Sequence, residues 1–204
     1  MKRGRYLAVL LMAGCMLTGC GILGGFSPEV SGISIDKKGG ITEVVREMFD
    51  ESVYSKEELE QQLTSEIEAY NTASGDEYIK EKNLKVKDGV AQLKMTYASA
   101  KDYIAFNNVE FYSGNVVGAV QQGYMFEGVF KTVTSGSVDG ASSMWGSSII
   151  RGTNYPTVVF NGPLLVEVPG EILYVSENVN VTDKKTAVCS DSSRAYIIYE
   201  TEKK

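Results

Sequence analysis

The chain contains no histidine. That absence removes Ser-His-Asp and Cys-His nucleophilic sites, most zinc sites, and the side chain that usually switches charge near neutral pH. Cysteine is scarce: Cys15, Cys20 and Cys189 are the three in the chain, too few and too scattered for a disulfide framework. Basic charge is in deficit as well, with 20 Lys and Arg against 26 Asp and Glu. No basic stripe of the kind that attracts a phosphate backbone is present, so nucleic acid is excluded as a partner. No glycine-rich nucleotide loop and no calcium-binding D-x-D-x-D-G pattern occurs either. These gaps leave no motif for a cofactor or a metal, and no residue is assigned as catalytic.

What is present begins at the N-terminus. Lys2, Arg3 and Arg5 precede an uncharged, mostly apolar run over 6–16, and Leu17-Thr18-Gly19-Cys20 follows directly. Eleven helical residues rise only ~16 Å, short of a ~30 Å hydrocarbon core, so the run by itself is an export signal. Leu17-Thr18-Gly19-Cys20 resembles the lipobox of bacterial lipoproteins at every position. The resemblance implies cleavage between Gly19 and Cys20, acylation of the Cys20 thiol, and a protein held to membrane lipid on the extracytoplasmic face. Met12-Ala13-Gly14-Cys15 is a weaker second match. An uncleaved anchor is the competing reading, because no charge occurs over 6–26, although five glycines in that stretch disfavour a spanning helix.

On this reading 1–19 is a removed signal peptide and 20–28 a lipidated, glycine-rich tether. Residues 1–19 hold three of the basic residues and no acid, so the remainder carries −9. It would also keep Cys189 as its one unmodified thiol, in a segment that reads as a buried strand.

Residues 29–204 are expected to form a single α+β domain, with a mainly antiparallel sheet, one long amphipathic helix over about 56–70, and one or two short helices. Alternation over 33–49 around Lys37-Lys38-Gly39-Gly40 predicts a hairpin. Ser55 with Glu58 forms a capping box, Tyr54 and Leu59 a hydrophobic staple, and Leu59, Leu63, Ile67 and Tyr70 one helical stripe, ended over 71–75 by Asn71 to Gly75. Asp88-Gly89 joins two alternating runs as a second hairpin. Ser99 with Asp102 caps a short helix through Phe106. A strand near 109–112, a helix or turn near 115–122 and a strand over 125–133 follow. Residues 134–154 hold six serines, four glycines and the single tryptophan, Trp145, and read as a long loop. Strands return over 158–160, 164–168, 171–176, 179–182, 186–189 and 195–200.

Candidate chemistry is thin. Ser34-Ile35-Asp36-Lys37, Ser176-Glu177-Asn178 and Lys185-Thr186-Ala187 imitate the penicillin-recognising series. However, a serine in a strand cannot have the lysine three residues later beside it, as that site requires. Glu57, Glu58, Glu60, Glu66 and Glu68 read as a cap and a solvated helix face. Twelve tyrosines are mostly core residues with wet hydroxyls, or else line a groove. Met144 and Trp145, in their Ser/Gly frame, are the candidate contact residues; the alternative is that Trp145 folds back as a plug. The body also resembles uncharacterised lipoproteins of Gram-positive bacteria, through the Glu58-Leu59 helix, the Asp88-Gly89 hairpin and Phe106-Asn107-Asn108. That family has no activity to carry over. The expected function is therefore a membrane-tethered, non-catalytic binding module for an unknown protein or glycan. The alternatives are an enzyme working through carboxylates alone and a structural subunit of an envelope complex.

Overall fold

A computed structural model describes residues 25–201. Gly19, Cys20 and the rest of the expected signal and lipidation segment therefore lie outside the described residues. The first ordered unit is a hairpin, β1 (Gly32–Ile35) and β2 (Ile41–Met48), in which Ile33, Ile35 and Ile41 turn one face inward. Helix α1 (Lys56–Ser74) follows. The Ser55 hydroxyl accepts from the Glu58 amide, and Gly75 closes the far end at φ 82°. Strands β3 (Ile79–Lys87) and β4 (Val90–Tyr97) turn at Asp88-Gly89, both with positive φ.

The chain then passes through α2 (Ala100–Asn107), β5 (Phe111–Asn115), α3 (Val116–Gln121), β6 (Val129–Thr134), β7 (Ser137–Trp145) and α4 (Gly146–Arg151). It ends in β8 (Pro156–Asn161), β9 (Leu164–Glu167), β10 (Glu171–Ser176), β11 (Val179–Val181), β12 (Thr186–Cys189) and β13 (Arg194–Glu200).

Two sheets result. The first has seven strands in the order β11-β12-β9-β1-β2-β4-β3, and the second has six, β5-β8-β13-β10-β6-β7. Every pairing is antiparallel except β1 with β9, where Ile33 meets Val166 and the first strand is clipped to the C-terminal third.

The main core lies between the sheets. Ile33, Ile41, Ile79 and Met95 come from the first, and Val158, Phe160, Ile172 and Ile197 from the second. A second core covers the other face of the second sheet, where Tyr112, Phe130, Val159, Tyr196 and Ile198 meet Val116 and Ala119 of α3 and Ile149 of α4. Strand β13 is thus buried on both faces, Ile197 toward one core and Ile198 toward the other. That double burial explains the unbroken apolar run Ala195–Tyr199, which shows no alternation.

The expected α+β class is overturned. The described chain is 44% strand and 22% helix, and only two of its four helices reach seven residues. The physical reason is the narrowness of the α1 stripe. Only Leu63 and Ile67 are buried, so the helix packs at the β3 edge instead of covering a sheet. Its C-terminal turn docks through Asn71, whose amide donates to the Ile79 carbonyl at 2.8 Å and accepts from the Ile79 N–H at 3.0 Å. Asn71 therefore ties the helix to the sheet one turn before Gly75 closes it, within the 71–75 segment expected to end the helix.

The expected loop over 134–154 is also corrected. Ser135 and Gly136, at φ 52° and 82°, make a two-residue turn from β6 into β7, and α4 follows. Strand β7 has a partner on one side only. Its serines and glycines face solvent, so its sequence lacks the apolar alternation that marks a half-buried strand.

Candidate interaction surface

Trp145 ends β7 and is 64% exposed. Its neighbour Met144 pairs with Phe130 and packs against the second core. Of the two predicted contact residues, one is therefore on the surface and one supports it from below; Trp145 does not fold back as a plug.

The backbone at this point is tightly held. The Gly146 amide donates to the Gly128 carbonyl at 3.0 Å. A Cβ at Gly146 would collide with the Phe126 carbonyl, so only glycine allows the approach. That contact joins the residue after Trp145 to the residue after Met125, which is itself 63% exposed. The Met125 carbonyl accepts from the Tyr196 hydroxyl at 2.8 Å, and Phe126 stacks on Phe130. Val117 and Val120 of α3 and Ile150 of α4 are exposed apolar side chains as well. Sequence reasoning finds Trp145 but misses Met125, which it makes the first residue of a strand over 125–133; the strand begins at Val129.

Three other constellations have structural explanations. Glu43 lies buried in the main core, where the Tyr97 hydroxyl donates to its carboxylate at 2.5 Å. The Asn107 amide donates to the Tyr97 oxygen at 3.0 Å. Burial raises the Glu43 carboxyl above the usual range, against the opposing pull of these hydrogen bonds. Burial, and then the Glu43 charge, likewise push the Tyr97 phenol far above its ordinary value. A second buried acid, Asp102, accepts from Tyr70 at 3.0 Å and from Ser99 at 2.5 Å, which fixes the start of α2.

Cys189 is fully buried, and burial pushes its thiol up, which keeps it protonated. It accepts from the Asn178 amide at 3.4 Å and donates to the Asp191 carbonyl at 3.4 Å, as a core thiol does.

The penicillin-type series is not assembled. Ser34 lies in β1, its hydroxyl donates to Glu167 at 2.7 Å, and Lys37 is in the following turn. The acids Glu57, Glu60 and Glu68 line a shallow, open depression on α1. Among the described residues no group of three His, Cys, Asp or Glu side chains has metal-holding geometry, and no helix is long and apolar enough to cross a membrane. Compared with protein-family models, curated proteins and solved structures, the chain matches none of them.

Proposed function

We propose that this protein is a lipid-anchored, extracytoplasmic, non-catalytic binding module that presents the Trp145–Met125 patch to a protein or glycan partner. The observation that carries the reading is the exposure of two large apolar side chains next to a closely packed backbone junction. A flexible loop would let Trp145 fold away from water. The Gly146–Phe126 contact positions the backbone next to Trp145 instead, and the Tyr196 hydrogen bond positions it at Met125. Exposed large apolar side chains on closely packed backbone point to a contact site, and Trp and Met are enriched at such sites. The anchor is supported by the lipobox at Leu17–Cys20 and by the basic start before it.

Because Trp145 is the single tryptophan, its emission reports directly on the site. Photocrosslinking on intact cells with the wild-type chain yields adducts that Trp145→Ala loses. Stability of the variant stays within about 0.5 kcal/mol, as for other exposed substitutions. An unchanged adduct profile in the variant rejects the patch. A blue shift on adding cell-wall glycan, with no protein adduct, assigns the partner class as glycan.

A further inference from the structure

We infer that the outward face of β2, β4 and β3 is a docking face for an anionic lipid surface. The strand registers place one row across the three strands at Arg46, Gln92 and Lys85, a second at Val44, Lys94 and Asn83, and a third at Thr42, Thr96 and Lys80. A fourth runs Met48, Val90 and Lys87. Directly paired residues share a face, so Arg46, Lys80, Lys85, Lys87 and Lys94 all project to the same side. The acids of these strands, Glu43, Glu47 and Glu81, pair with Met95 and Ala91 and point the other way.

In a chain with more acids than bases, this segregation concentrates cations on one face. Lys80 and Lys87 pair with Glu77 and Asp88, but at exposed positions where such pairs are weak. Arg46, Lys85 and Lys94 have no carboxylate partner among the described residues; Lys85 is exposed, whereas Arg46 is half-buried and donates to Gln92, and Val44 in the row of Lys94 is covered.

The position of the chain's entry selects the occupant. The Lys94 ammonium donates to the Phe26 carbonyl at 2.8 Å, and Gly25 sits beside it, so the described chain enters over this face. Cys20 is five residues earlier, within roughly 18 Å of extended reach. The geometry rests on the anchor reading: acyl chains at Cys20 hold this face, and not the Trp145 end of the second sheet, against the bilayer. Met48, 83% exposed, shares its row with Lys87 and supplies an apolar side chain at headgroup depth, while the lysines meet phosphate.

The test adds the full chain, purified from membranes, to vesicles of phosphatidylglycerol or of phosphatidylcholine, and follows lysine acetylation by a water-soluble ester. Lys80, Lys85, Lys87 and Lys94 react several-fold more slowly on phosphatidylglycerol, while Lys101 and Lys184 do not, and high salt removes the difference. Lys85→Glu with Lys87→Glu abolishes the preference. Equal rates on both lipids, or slowing of all lysines alike, overturns the docking face. Intact mass of the same preparation tests the anchor separately. An unmodified Cys20 with the selective footprint sinks the anchor and leaves the face, whereas an acylated Cys20 without the footprint does the reverse.

Discussion

Glu43 shows how one side chain couples this core to pH. Its carboxyl is raised by burial, so over the interval between the ordinary carboxylate value and its folded value the native state keeps a proton that the unfolded chain releases. The unfolded state binds fewer protons there, and the contribution of this group to stability falls as pH rises. Glutamine is neutral throughout and can still accept from Tyr97. The difference in melting temperature, Glu43→Gln minus wild type, therefore moves in favour of the variant between pH 4 and pH 8. Thermal melts across that range check it; a difference independent of pH removes the buried charge as the cause. Residues of this kind are not readable in advance. Alternation at Ile41, Glu43 and Val45 put Glu43 on the inward face, but its hydrogen-bonding partners come from β4 and α2, through Tyr97 and Asn107.

Among the elements, those closed by local chemistry were legible and those closed by distant partners were not. The Ser55–Glu58 cap and the Asp88-Gly89 turn occur where the residues put them, because a cap or a two-residue turn is satisfied by neighbours in sequence. Strand β7 was read as loop, since its order comes from pairing with β6 and from the Gly146 contact, neither of which leaves an apolar period. That contact makes a prediction. Gly146→Ala forces a methyl into the Phe126 carbonyl and costs about 1–3 kcal/mol, the range for overpacking a closed site. Urea unfolding measures it, with the Trp145 emission reporting whether the patch moves. A change below about 0.5 kcal/mol would show the junction to be compliant.

At the scale of the whole molecule, β13 joins the two cores, and the β1–β9 pair joins the first strand to the C-terminal third of the chain. Neither core closes without the second sheet, so both are expected to unfold together. Ile197→Ala, at a position with no exposed surface, costs about 2–5 kcal/mol. In the wild type and in this variant, far-ultraviolet circular dichroism and Trp145 fluorescence then give coincident transitions. An earlier fluorescence transition would separate the α3–α4 layer from the sandwich.

The residues alone determined the absence of histidine chemistry, the acidic balance, the caps and turns, and the apolar runs destined for burial. Each is a property of one residue or of a few neighbours, so no folding is needed to read it. Tertiary structure decided that the strands divide into two sheets, that α1 sits at an edge, that Trp145 stands outward and that the cations gather on one face. Those outcomes depend on register and on pairing between residues far apart in the chain. One residue of register reverses every side chain of a strand, and local sequence carries no record of the partner that sets it.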